Sequence, residues 1–493
     1  MLKIFLTIGL LQVFTMLVQL LKTKSLALLL GPELVGVMAV IDRLLAVIVQ
    51  TVSLSLPFAA LRFLPALWAE GPLVFRGRFL RMRNVLVVMT GLALAVIVVV
   101  TLVRPATWGI HLLPYREILL TAMLGLPVLT MVPFLQSAMA GRLEHNRAML
   151  VALGHAAVLA AAAAGVLWRG LAGFYLLYAG LGLALVIAAS RAVLHMPPGS
   201  PAPGLRGPRF PLALPRPVWR FSGTLLSLSF IAPYAALFVY YRVLRDHGAE
   251  TAGWMAAAIG IGLAVRGVLG SAHPVFLTPN INRAGTAADR MAWANSFQET
   301  FCFLAGAVLP PLLLFPAPAV RILYSHAFVP GATFVGLFVL VEILTLLAGT
   351  YGGLVVALDE LRFHVIQNVV AQGLIVVAAL GLVTPLGILG AGLAVLVAPL
   401  FLFLSTTTFL RRRHGVGVPA RTALLMGLLA VSVAAAGLAG ASWPEFTLPV
   451  LGLKAGIYVA VLVLFAVLLT AEERSRLRLL LGELRRRMAP AKP

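Results

Sequence analysis

Apolar runs long enough to cross a lipid bilayer follow one another from the first residues to about residue 470, and that succession decides what the chain can fold into. A hydrocarbon core near 30 Å needs about 20 apolar residues per helix, and backbone inside it must satisfy its own hydrogen bonds. Hydrophobic residues make up 61% of the 493 and charged residues 11%, with a mean hydropathy of +1.02. A soluble domain carries about 25% charged residues, so a soluble fold is excluded. The expected fold is an all-α polytopic membrane protein. Its first span is MLKIFLTIGLLQVFTMLVQLL, read as a helix rather than a cleaved leader because no small-x-small site follows.

Set against charged, Pro and Gly breaks, the runs give about fourteen spans. Six lie near 4–30, 36–61, 84–103, 117–140, 148–168 and 171–193. Six more lie near 221–241, 253–279, 294–315, 333–357, 364–383 and 388–409, and a final pair near 422–441 and 448–470. Residues 196–220, rich in Pro and Arg, suit a solvated cytoplasmic linker. The expected domains are a six-helix lobe at 1–195, that linker, a second six-helix lobe at 221–413, two extra helices at 414–470 and a basic cytoplasmic tail at 471–493.

The formal net charge is +22. On a soluble protein this would suggest nucleic acid, but here the cations fall between apolar runs, where they fix topology. With the N-terminus inside, about 27 of the 38 Lys and Arg lie on one side and about 9 on the other, which predicts cytoplasmic termini. The lone cysteine, Cys302, sits within an apolar run, so no intrachain disulfide and no thiolate metal site is expected. No cofactor is implied.

Self-comparison yields an internal repeat. GPELVGVMA at 31–39 matches GAETAGWMA at 248–256 with five identities in nine, an offset of 217. The same offset sets Pro57 on Pro274, Gly170 on Gly387 and Gly173 on Gly390. An even number of spans per copy relates the copies by an axis along the membrane normal, as in transporters that hold substrate between two rocking halves. Pro57 and Pro274 read either as conformational hinges or as residues that let helices pack closely.

Three stretches carry a family resemblance: LLLGPELVGVMAV, ILYSHAFVPGATFVGLFVL and TPLGILGAGLAVLVAPLF. With them the chain resembles the oligosaccharide (O-antigen type) flippases of the multidrug/oligosaccharidyl-lipid/polysaccharide exporter superfamily. The resemblance implies two six-helix lobes around a central cavity, two extra C-terminal helices, and a polyprenyl-linked oligosaccharide flipped across the cell inner membrane for polysaccharide (lipopolysaccharide) biosynthesis. Membrane lipid and polysaccharide-assembly proteins are the implied partners, and a monomer the implied state. Lipid II flippases and organic-cation exporters share the scaffold and stay open as alternatives. A membrane glycosyltransferase or polymerase is disfavoured: the outer loops near 104–116 and 316–332 are short and hold no carboxylate pair for acid/base work, so an enzyme is not expected.

Ionisable residues at membrane depth cost roughly 2.5 to 3.5 kcal/mol each on insertion scales, and so mark function. Arg266, in GIGLAVRGVLGSAHP, and Arg43, beside Asp42, are the candidates for the headgroup phosphate, because a guanidinium pairs with phosphate through two donors. Lys22 and Lys24 are further candidates, with snorkelling to the interface as the alternative. Asp42, Glu299 and Glu342 are candidates for carrying a coupling proton; His155, His273 and His364 read equally as packing residues.

Overall fold

The computed structural model describes residues 2–103, 110–142, 144–195, 214–270, 273, 277–443 and 447–470. Among them the structure is helical: α1 (Leu2–Ser53), α2 (Leu56–Glu70), α3 (Pro72–Val103), α4 (Arg116–Met123), α5 (Leu126–Gly141), α6 (His145–Ala162), α7 (Val166–Leu194), α8 (Arg216–Leu269), α9 (Thr278–Arg283), α10 (Ala287–Leu314), α11 (Pro316–Leu323), α12 (Val335–Ala357), α13 (Leu361–His414), α14 (Ala420–Ser442) and α15 (Leu448–Val467).

Ten helical stretches among the described residues are long and apolar enough to cross a membrane, so the chain is a multi-pass membrane protein. That is fewer than the sequence suggests, for a geometric reason. Leu17–Ser53, Asn146–Leu194, Ile231–Leu269 and Leu361–His414 run for 37, 49, 39 and 54 residues, far beyond one crossing. Each holds one glycine at positive φ: Gly31 at 70°, Gly170 at 59°, Gly248 at 87° and Gly387 at 57°. A side chain is strained there and the helical path breaks. Each break falls between two apolar runs read as separate spans. Residues 196–213 of the expected linker, the tail at 471–493 and Pro274 lie outside the described residues; α8 begins at Arg216, inside the stretch expected to be linker.

The chain forms two compact units. Unit 1 comprises Met1–Gly260, Pro318–Ala332 and Leu361–Leu402. Its core centres on Phe75, Phe79, Phe134 and Phe174, each at most 2% exposed, with the Phe79 and Phe134 rings stacked at 5.4 Å. Small residues admit α7 to its neighbours: a Cβ on Gly182 would lie 2.7 Å from the Val128 methyls. Buried Thr90 and Thr130 return their hydroxyls to the Leu86 and Leu126 carbonyls, one turn back, and their hydroxyl oxygens lie 3.2 Å apart.

Unit 2 comprises Ile261–Ala317, Thr333–Glu360 and Phe403–Pro493. Its α10 starts on an N-cap, in which the Thr286 hydroxyl accepts from the Asp289 amide at 3.1 Å and donates to the Asp289 carboxylate at 2.7 Å. Glycines set its packing. Gly336 of α12 meets Gly437 of α14 so closely that a Cβ on the first would lie 2.5 Å from the Cα of the second, and Gly306 of α10 sits under the Phe465 ring of α15. Apolar helices gain nothing from leaving lipid for each other, so such close backbone approach supplies the packing energy.

Candidate functional site

In unit 1 the break at Gly31 folds α1 back on itself. Lys22 lies nine residues before it and Asp42 eleven after, about 14 and 17 Å along the two limbs at 1.5 Å per residue, so both reach a similar depth. They line one cavity of about 350 Å³ together with Gln50, Tyr175 and Tyr178. Tyr175 and Tyr178, three apart on α7, share a face. The Tyr175 hydroxyl donates to Asp42 Oδ1 at 2.9 Å, and Tyr178 Oη lies 2.9 Å from His155 Nε2. The cavity thus holds an ammonium, a carboxyl, an amide and two phenols on otherwise apolar walls. This donor and acceptor set can grip a polar headgroup or exchange a proton.

Arg43 does not line that cavity. Its guanidinium carbon lies 5.1 Å from the centre of the Tyr240 ring, a cation–π contact with α8 inside unit 1. Lys24 donates from Nζ to the Arg321 carbonyl oxygen at 2.7 Å, in the last turn of α11, where a cation complements the helix dipole.

In unit 2, two candidates meet. Arg266 Nη1 donates to Glu342 Oε2 at 2.8 Å, joining the last limb of α8 to α12. One turn earlier Gly262 lets the helices close, since a Cβ there would lie 3.0 Å from the Phe338 carbonyl oxygen. The Arg266 side chain keeps 44% of its surface exposed against 12% for Glu342, so the carboxylate is the more enclosed partner of the pair.

Glu299 is engaged differently. One carboxylate oxygen pairs with Arg421 Nη1 and the other accepts from the Thr422 hydroxyl at 2.6 Å, while Arg421 Nη2 reaches the Leu468 carbonyl at 3.3 Å. This cluster ties α10 to α14 and to the end of α15. Pro57 stands in the first turn of α2, where its missing N–H costs nothing; the break lies upstream at Leu54 (φ 49°) and Ser55 (φ 54°).

Sequence reasoning missed a polar centre at Arg142, whose side chain is 4% exposed. It pairs with Glu144 at 2.9 Å, donates to the Val193 carbonyl at 2.7 Å and stacks over Trp68 at 4.5 Å. It also missed the phenols of Tyr175 and Tyr178, whose signal was a polar pair three residues apart in an apolar span. Among the described residues, no group of three or more His, Cys, Asp or Glu could hold a metal.

Among the described residues, ten helical stretches long and apolar enough to cross a membrane define an all-helical, multi-pass membrane protein. Solved structures share that fold. One described as lipid II flippase MurJ in an inward closed conformation superposes with a TM-score of 0.60 at 10% identity, over 94% of this chain and 98% of that one. An inward-facing multidrug resistance MATE family transporter of the MOP superfamily gives 0.58 at 12%, over 82% and 94%. An outward-facing one gives 0.52 at 13%, over 83% and 95%. At these identities the likeness is one of fold. No protein-family model and no curated protein matches the sequence.

Proposed function

We propose that this chain flips a polyprenyl-phosphate- or diphosphate-linked oligosaccharide across the inner membrane by alternating access, for cell-surface polysaccharide assembly. The observation that carries the reading is a difference in coverage. The flippase structure matches 94% of this chain, whereas the two multidrug transporters match 82% and 83% while using nearly all of their own length. The excess is about a tenth of the chain, the size of the α14–α15 pair. A lipid II flippase fits the same observation and is the second reading.

The hard step in flipping is carrying the phosphate through hydrocarbon, where an uncompensated charge is costly. Lys22 in the unit 1 cavity and the partly exposed Arg266 supply the cations, Arg43 a third, and Asp42 is the carboxyl best placed for a coupling proton. Glu342 fixes Arg266, and Lys24 and Glu299 serve as helix ties. The four glycine breaks, taken as turns, restore about fourteen crossings, and the 217-residue offset makes them two repeats. Both termini are then cytoplasmic and the protein works as a monomer.

Binding tests this directly. A polyprenyl-diphosphate oligosaccharide should raise the melting temperature of the purified protein, and the organic cation tetraphenylphosphonium should not. Stabilisation by the cation alone would favour a multidrug exporter.

A further inference from the structure

Arg76, Arg78, Arg81 and Arg83 crowd the first turns of α3 against a single carboxylate, Glu70, at the end of α2. Cations just outside a span are ordinarily a topology signal carried by solvated side chains. These are not fully solvated. Each is half-buried, and Arg78 Nη1 is buried with no hydrogen-bond acceptor among the described residues. A buried N–H without an acceptor is costly, and nearly all such groups in native proteins are satisfied by protein, water or ligand. Two arginines of unit 2 show the contrast: Arg290 donates to the Ala284 and Ala357 carbonyls at 3.1 and 2.6 Å, and Arg421 pairs with Glu299.

Helical spacing sorts the four. Phe75, Phe79 and Met82 are buried and turn one face of α3 to the core of unit 1. Arg78 and Arg81 lie together on one flank of that face, one turn apart, and Arg76 and Arg83 lie on the other. Arg83 is further engaged, through Nη2, with Asn84 Oδ1 at 3.2 Å. Like charges three residues apart repel, so the Arg78–Arg81 pair costs stability until an anion joins it. Room for one is present: Gly77, one turn before Arg81 on the same flank, is exposed, and a Cβ there would meet nothing within 4 Å. Depth says which anion. With the span starting near residue 84, Arg81 and Arg78 stand about 5 and 9 Å beyond the hydrocarbon core, against about 5–7 Å for the headgroup layer. The pair therefore brackets the level of the lipid phosphates.

We infer that Arg78 and Arg81 form a binding site for the phosphate of an anionic phospholipid of the cytoplasmic leaflet, with the headgroup lying over Gly77. A guanidinium pairs with phosphate through two donors, and two of them one turn apart hold one phosphodiester from both ends. Basic recesses between helices on the cytoplasmic side recognise anionic headgroups in this way. The inference uses the orientation given by the Lys and Arg count and is independent of the transported substrate.

The test is native mass spectrometry of the full-length protein in detergent, titrated with phosphatidylglycerol and, in parallel, with phosphatidylcholine. The wild type should hold one phosphatidylglycerol at least tenfold more tightly than phosphatidylcholine. Arg78→Gln combined with Arg81→Gln should abolish that preference, whereas Arg411→Gln combined with Arg412→Gln, at exposed positions in the last turn of α13, should keep it. Gly77→Leu retains every charge and fills the space over the pair, so it should weaken phosphatidylglycerol at least fivefold. Wild-type affinity in the Arg78/Arg81 variant or in Gly77→Leu, with normal melting, overturns the site. Should the double variant fail to accumulate, Arg78→Lys takes its place: it keeps the charge and loses the fork, and wild-type affinity there overturns the site equally. Millimolar inorganic phosphate should leave the lipid bound, as should a polyprenyl-diphosphate oligosaccharide. Displacement by the first would assign the pair to a soluble phosphate and displacement by the second to the transported substrate, and either overturns the phospholipid site.

Discussion

Arg266 Nη1 lies 2.8 Å from Glu342 Oε2, and the two were drawn from the sequence for different roles, one as a phosphate ligand and one as a proton carrier. The pairing makes them one device. A guanidinium held by a single oxygen keeps its remaining donors for a second anion.

Replacing Arg266 should therefore separate charge from geometry. Arg266→Gln should cut flipping at least tenfold, while Arg266→Lys should retain a part of it, because an ammonium keeps the charge and loses the planar fork. Glu342→Gln keeps an acceptor for Arg266 and should cost less than threefold. Initial flipping rates in proteoliposomes, normalised to protein content, give the comparison.

Glu299 offers the opposite case. With both oxygens engaged by Arg421 and Thr422, Glu299→Gln should destabilise by about 1–3 kcal/mol, the cost of a half-buried hydrogen-bonded charge losing its partner. Thermal melts in detergent should show a lowered midpoint, and the folded fraction should flip at the wild-type rate. A normal melt with abolished flipping would return Glu299 to the coupling role.

At Arg142 the account predicts a purely structural loss. Truncation to Ala leaves the Val193 carbonyl without its donor and Glu144 with Arg147 alone, and strips the Trp68 face, so a loss of about 1–3 kcal/mol is expected, the cost of a buried acceptor losing its donor. Arg142→Lys should recover less than half, since the lysine cannot stack and donate at once. Protein yield and melting temperature report both values.

Asp42 and Tyr175 should part company in the same way. Asp42→Asn keeps an oxygen to accept from the Tyr175 hydroxyl and should fold normally, yet uncouple flipping from an imposed proton gradient. Tyr175→Phe removes the donor and should lower the melting midpoint. Flipping with and without the gradient distinguishes the two variants.

What was legible in the sequence follows from range. The apolar runs and the glycine turns are local, so the spans and the breaks at Gly31 and Gly248 could be read from neighbouring residues. The depth match of Lys22 and Asp42 follows from counting outward from Gly31. Partners far apart in the chain left no such trace: Glu299 meets Arg421 across 122 residues, and Lys24 bonds a backbone carbonyl 297 residues away. Arg142 was hidden for another reason. An arginine between spans looks like one more topology signal, and only the packed fold reveals that this one is buried.

The most direct test of the central claim is transfer of a fluorescent polyprenyl-diphosphate oligosaccharide across proteoliposomes by the wild type and by Lys22→Ala and Arg266→Ala, beside an analogue lacking the phosphates. The account predicts flipping by the wild type, at least a tenfold loss in each variant, and no transfer of the phosphate-free analogue. Equal transfer of both lipids, or full activity without Lys22 and Arg266, would contradict it.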